Sequence, residues 1–107
     1  MRLRRRSAFE ELAERQLVLF AEDEAELLEE AFEAEEAWNR AGREGAEEAY
    51  GDYQLVVDAI ADRLLDLREA YAGTLDPEQA DEYRRTFAAV ASRRFRRYAS
   101  LVADLEP

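Results

Sequence analysis

The longest uninterrupted helical pattern in the sequence covers residues 8–41, which read AFEELAERQLVLFAEDEAELLEEAFEAEEAWNRA. These residues contain no Gly or Pro, and they are dominated by the good helix formers Glu, Ala and Leu. Ser7 followed by Glu10 matches a capping box, whose side chains bind the free amides of a first turn. The pattern predicts one helix of about 34 residues, roughly 51 Å long. Three acids at 22–24 interrupt the apolar rhythm and mark the point where a kink is possible.

Two further helices follow from the residues that end and begin them. Gly42-Arg43-Glu44-Gly45 predicts a turn, because Gly adopts the positive φ that ends a helix and reverses the chain. A second helix is predicted over residues 46–72, with Gly73 as its stop. Asp76 as N-cap and Pro77 at the first helical position then predict a third helix over residues 77–105.

The apolar residues of each predicted helix fall on one stripe at steps of three and four. Three such stripes predict an all-α fold, and the short loops make neighbouring helices antiparallel. We therefore expect residues 1–107 to form a single domain, a three-helix up-down-up bundle with an extended first helix. Residues 1–7 would form a basic N-terminal arm.

The first helix has more apolar surface than one stripe requires. A second stripe lies roughly 100° around the helix from the first and consists of Leu17, Ala21, Ala25, Leu28 and Phe32. One interpretation is that the other two helices straddle the long helix and cover both stripes. The other is that a second chain covers this one, since soluble proteins rarely expose contiguous apolar patches. The second interpretation favours a homodimer through the long helix, with coiled-coil-like packing in a larger helical bundle.

Charge is distributed unevenly along this acidic chain of net charge −11. Residues 7–82 carry 24 acids and five Arg, whereas residues 1–6 carry four Arg and residues 83–103 carry six Arg, both without an acid. The third helix thus presents a basic face, Arg85, Arg93, Arg96 and Arg97. These side chains either pair with acids of neighbouring helices or, together with the N-terminal arm, bind phosphates.

The residue types exclude several kinds of chemistry. The chain contains no Cys and no His, and all 15 basic residues are Arg. Thiolate sites, His-bearing metal sites and His-based catalysis are therefore excluded. We expect no enzyme activity, no catalytic residue, no cofactor and no metal ion. The acidic ladder Asp58, Asp62, Asp66 and Glu69 is interpreted as a solvated helix face or as partners of Arg, with a Mg²⁺ or Ca²⁺ site as the less favoured alternative.

No apolar run approaches the roughly 18 to 20 residues that span a bilayer, and the N-terminus lacks a signal-peptide pattern. We expect a cytoplasmic protein without a membrane partner. The leading functional hypothesis is a non-enzymatic helical protein–protein interaction or oligomerisation module, regulatory or adaptor in kind, with a protein partner besides itself. The alternative is a nucleic-acid-associated protein that uses the basic face and the Arg-rich arm, or an acidic mimic of DNA.

Overall fold

The computed structural model describes residues 8–98, 101, 104 and 105. Within these residues the chain forms four α-helices and no β-strand, which confirms the all-α class and is compatible with a helical bundle. The helices are α1 (Glu10–Asp23), α2 (Ala25–Arg40), α3 (Ala46–Ala72) and α4 (Pro77–Arg94). Ser7 of the predicted capping box and the predicted basic arm lie outside the described residues.

The single helix predicted over residues 8–41 is wrong, because the structure divides it at Glu24 into α1 and α2, and α1 begins at Glu10 rather than Ala8. Glu24 has φ −108° and ψ 28°, well away from helical values. Two backbone hydrogen bonds between residues four apart are nevertheless kept by Glu24. Its amide donates to the carbonyl of Phe20 at 2.8 Å, and its carbonyl accepts from the amide of Leu28 at 3.0 Å. The chain therefore bends at Glu24 without an intervening loop.

Two features account for the bend. Asp23, next to the bend, is a weaker helix former than Ala or Glu. The carboxylate of Glu24 also forms an ion pair with Arg63 of α3. The change of direction lets α1 pack mainly on α4, while α2 packs extensively on α3.

The two turns differ in how well they were predicted. No described residue, Gly included, has a positive φ, so the expected left-handed glycines at 42 and 45 are wrong. The chain instead leaves α2 through the extended backbone of Ala41, which has ψ 136°. The start of α4 is confirmed. The carboxylate of Asp76 accepts a hydrogen bond from the amide of Gln79 at 2.9 Å, and Pro77 is the first helical residue.

The third predicted helix, over residues 77–105, is interrupted, since α4 ends at Arg94. A turn follows in which the amide of Tyr98 donates to the carbonyl of Phe95 at 2.9 Å. The side chains of Phe95 and Tyr98 are both buried. The turn directs these two rings toward Phe20 of α1 and Tyr53 of α3. Beyond it, Leu101, Asp104 and Leu105 are again helical.

The core contains aliphatic side chains in its middle and aromatic side chains toward two ends. At one end Phe9 contacts Tyr71 and Tyr83 edge-on, with ring centroids 6.4 and 5.6 Å apart. The hydroxyl of Tyr83 donates to Gln16 at 2.7 Å, and burial raises the pKa of this phenol to about 12. The largest fully buried side chains are Tyr83, Phe87, Leu17, Ile60, Leu64, Leu101, Leu105 and Val57.

A charged cluster joins α3 to α4 near the turn between them. Arg84 donates two hydrogen bonds to the carboxylate of Glu69, from Nη2 at 2.9 Å and from Nε at 3.0 Å. Arg68 adds a third at 2.8 Å. The hydrogen bond from Arg84 is the main reason that the pKa of Glu69 is lowered to about 2.

We expect the substitution Glu69→Gln to destabilise the fold by about 1 kcal/mol at pH 7, since the cluster is half exposed and screened by water. A carboxylate with a lowered pKa stabilises the folded state above pH 4.5, and this contribution is lost as the pH falls toward 2. The difference between wild type and Glu69→Gln should therefore shrink over that range. Urea denaturation at a series of pH values measures it, with Glu82→Gln as a control. A difference that is independent of pH would contradict the assignment.

Candidate functional site

The structure separates the members of the predicted apolar stripe. Leu17 of α1 is fully buried and belongs to the core. Ala21 and Leu28 are half-buried, Ala25 is exposed, and Phe32 of α2 is 47% exposed. The bend at Glu24 changes which side of the chain faces α4, so the stripe does not continue as one surface. The prediction that Leu17 lies on an exposed stripe is wrong. Phe32 is the large apolar member that does face solvent.

The predicted basic face is exposed along its whole length, but its members differ in what they contact. Arg93 donates to the carboxylate of Glu10 of α1 at 3.0 Å. Arg97 donates to Glu35 of α2. Arg85 and Arg96 form no ion pair with any described residue. Two of the four arginines therefore connect α4 and its C-terminal turn to the first two helices.

The predicted stripe and the predicted basic face meet at one point. The guanidinium carbon of Arg97 lies 5.7 Å from the ring centroid of Phe32 and 5.6 Å from that of Tyr98. This geometry is that of a cation–π interaction, worth about 0.5–1 kcal/mol per contact at an exposed site. The carboxylate of Glu35 forms an ion pair with the same guanidinium. Arg97 thus covers part of an aromatic ring that is otherwise open to water.

Aromatic rings continue from this point to the turn between α2 and α3. Tyr98 contacts Tyr53 at 6.2 Å between ring centroids, and Tyr53 is stacked on Trp38 at 5.3 Å. Trp38 contacts Tyr50 at 4.8 Å. Burial raises the pKa of Tyr53 and of Tyr98. Trp38 and Tyr50 are 37% and 44% exposed and form the outer edge of this aromatic row.

Two exposed apolar residues of α1 were missed by the stripe analysis. Val18 is 44% exposed and Leu19 is 52% exposed. The signal for them is the run Leu17-Val18-Leu19-Phe20, in which four apolar residues cover the full circumference of one helical turn. An α-helix packed on one side cannot bury all four. The buried members are Leu17 and Phe20, which leaves the middle two facing water.

A cleft of about 550 Å³ lies beside Leu19, between α1 and α3. Its apolar lining is formed by Leu19 and Phe20 of α1 and by Leu67 of α3. Its polar lining consists of Gln16, Asp23, Glu24, Arg63 and Asp66. Because Arg63 is engaged by Glu24, the other two acids, Asp23 and Asp66, leave the cleft with a net negative charge.

A second concave region lies between α1 and α4, where the charges balance because Arg93 pairs with Glu10 and Glu14 offsets Arg94. Glu14, Leu17 and Val18 line it from α1, and Val90, Arg93 and Arg94 line it from α4. Val18 and Leu19 therefore occupy adjacent positions on one helix but line different concave regions, of which only the one beside Leu19 carries an excess of acid. A substitution of Val18 is therefore a matched control for a substitution of Leu19.

In the part of the chain that the structure describes, no group of three or more carboxylates is placed to hold a metal ion. None of the described helices combines the length and the apolar character that crossing a membrane requires. No protein-family model, curated protein or solved structure matches this chain. The exposed apolar and aromatic side chains described above, with the charged residues around them, form the candidate functional surface.

Because Arg97 contacts two rings and Arg96 contacts neither, we expect substitution of Arg97 to lower the stability of the fold more than substitution of Arg96. Arg97→Ala should destabilise the fold by about 1–2 kcal/mol, because it removes the partner of Glu35 and both cation–π contacts. Arg96→Ala is the matched control, since Arg96 is exposed and has no ion pair among the described residues; it should change stability by less than about 0.5 kcal/mol.

Urea denaturation followed by the fluorescence of Trp38, the one tryptophan of the sequence, measures both variants. Arg97→Lys keeps the charge but not the planar guanidinium, so its loss of stability should lie between those of Arg96→Ala and Arg97→Ala. Equal effects of Arg96→Ala and Arg97→Ala would contradict the assigned contact.

Proposed function

We propose that this chain is a non-enzymatic helical protein–protein interaction or oligomerisation module. The observation that carries the proposal is the distribution of exposed large apolar side chains. Among the described residues they are Val18, Leu19, Phe32, Trp38, Tyr50 and Leu55, and four of these six belong to α1 and α2. Single exposed apolar residues are common on monomeric proteins, whereas contiguous exposed apolar patches are typical of contact with another molecule.

We propose that the chain forms a homodimer through the exposed side of α2. Phe32 is the central residue of this interface, and its neighbours Ala25 and Leu28 extend the surface toward the bend. This retains the α2 part of the predicted stripe, while Leu17 serves the monomer core. A planar aromatic ring bordered by an arginine is a frequent element of protein interfaces. A larger helical bundle with coiled-coil-like packing is the expected form of the dimer.

The proposed topology is up-down-up, with the bent pair α1 and α2 as its first leg. Two contacts support an antiparallel arrangement of α2 and α3. Trp38 near the end of α2 touches Tyr53 near the start of α3, and Glu24 before α2 meets Arg63 in the second half of α3. Contacts of Phe9 with Tyr83 and of Phe20 with Phe95 support a parallel course of α1 and α4.

Sedimentation equilibrium between about 1 and 100 µM tests the dimer. Wild type should be dimeric in this range, and Phe32→Glu should shift it to monomer, because a carboxylate at the centre of an apolar interface is costly to desolvate. Leu55→Glu is the matched control, since Leu55 is 70% exposed and lies on α3. This variant should stay dimeric. A monomer at every wild-type concentration, or equal effects of the two variants, would contradict the proposal.

The alternative function, binding to nucleic acid, is favoured by one observation. Arg85 and Arg96 are exposed and form no ion pair with described residues, so they are available to phosphates. The engagement of Arg93 and Arg97 by carboxylates and the net charge of −11 act against it. Fluorescence anisotropy with short DNA duplexes at low salt discriminates the two functions. Binding that falls steeply with salt supports the alternative, and no binding at low salt removes it.

A cytoplasmic location stays part of the proposal.

A further inference from the structure

The cleft between α1 and α3 exposes apolar surface at a place where the chain's own helices do not cover it. Leu19 is 52% exposed there, while the adjoining ring of Phe20 is only 7% exposed. Leu67, on the facing helix, is partly buried against the core. The volume of about 550 Å³ lies within the range of roughly 300–1,000 Å³ typical of ligand clefts. It is large enough for apolar side chains that enter from outside.

The charges around the cleft specify what can enter. Asp23 on α1 and Asp66 on α3 stand on its two sides, and neither forms an ion pair with a described residue. Glu24 is neutralised by Arg63. Beyond this end of the cleft, a neighbouring concave surface adds further acids, Glu22, Glu26 and Glu30. A partner that buries apolar surface here must therefore carry positive charge at the edges of its apolar part.

The described residues of a second copy of this chain do not fit that description. The basic residues of the described part concentrate on α4 and the turn after it, but α4 contributes none of the exposed large apolar side chains. The helices that do expose apolar residues, α1 and α2, are acidic. If the described part of a second copy entered the cleft, it would thus place there either acids against acids or a basic face without an apolar centre.

We propose that the cleft binds an amphipathic helix of another protein, in which Leu- or Met-type side chains are flanked by Lys or Arg. The apolar side chains contact Leu19 and Leu67, and the flanking cations approach Asp23 and Asp66. This is helix-in-groove recognition, in which residues at steps of three and four supply the anchors. The inference rests on the proposed function and adds to it a second surface, separate from the dimer contact at Phe32, with a defined partner chemistry.

The test uses a labelled synthetic helical peptide with Leu at steps of three and four and Lys on both flanks. Two matched peptides replace either every Lys by Glu or every Leu by Ser. Fluorescence anisotropy with the full chain at about 0.15 M salt should show binding of the Leu/Lys peptide and at least about tenfold weaker binding of each matched peptide. Equal binding of the Ser/Lys peptide would overturn the proposal, because attraction to an acidic protein would then explain the result.

Variants of the chain locate the contact. Leu19→Gln should weaken binding of the Leu/Lys peptide about tenfold, whereas Val18→Gln, the neighbour that faces Arg93 and Arg94, should leave it unchanged. The double variant Asp23→Asn/Asp66→Asn should weaken binding more than the control Glu29→Gln/Glu33→Gln, which removes the same charge from exposed positions of α2. Equal effects within either pair would overturn the proposal.

Sedimentation equilibrium on the same samples separates this inference from the dimer. A dimeric chain that does not bind the Leu/Lys peptide refutes the cleft proposal alone. A chain that binds the peptide through Leu19 but stays monomeric refutes the proposed self-association and supports the cleft.

Discussion

The bend at Glu24 is the constraint on which the other contacts of the fold depend. A straight helix over residues 8–41 could follow one neighbour along its length but could not pack on α4 in its first half and on α3 in its second. The ion pair with Arg63 holds the bend against α3, and the two backbone hydrogen bonds that Glu24 keeps, to Phe20 and from Leu28, limit its cost. The positions of the cleft beside Leu19 and of the exposed ring of Phe32 both follow from this change of direction.

The pattern of charges contributes more to the placement of α4 against the other helices than to the free energy of folding. Arginines of α4 and its C-terminal turn meet acids of three other helices: Glu10 of α1, Glu35 of α2 and Glu69 of α3. Each exposed pair contributes about 1 kcal/mol or less, so the buried apolar residues supply most of the free energy of folding. The pairs instead favour the one placement of α4 in which its cations face acids rather than one another.

Elements specified by local chemistry were predictable from the sequence. The bounds of α3 and the cap at Asp76 followed from Gly, Pro and N-cap residues, whose effects act within one turn. The bend at Glu24 was visible only as a position where a kink was possible, because its size depends on Arg63, 39 residues further along the chain. The end of α4 was missed because the burial of Phe95 and Tyr98 is a tertiary effect. Helical periodicity alone predicts a longer helix.

The candidate site shows the same division between local and tertiary effects. The sequence identified Phe32 and Arg97 separately, as members of an apolar stripe and a basic face, but it could not show that they are in contact. It assigned Leu17 to an interface, since spacing does not indicate which of two stripes faces the core. Leu19 became a candidate only when the structure placed it beside a cleft bordered by Asp23 and Asp66.

The distance across the bend tests the account most directly. The sequence contains no Cys, so nitroxide labels can be attached at Arg15→Cys and Ala37→Cys, both exposed, with unlabelled protein in excess to dilute any dimer. The control pair, Glu48→Cys and Ala70→Cys, spans the same number of residues within unbroken α3. Pulsed electron paramagnetic resonance should give about 33 Å for the control, the length of a straight helix, and a clearly shorter distance across Glu24. Equal distances for the two pairs would contradict the bend and the arrangement that depends on it.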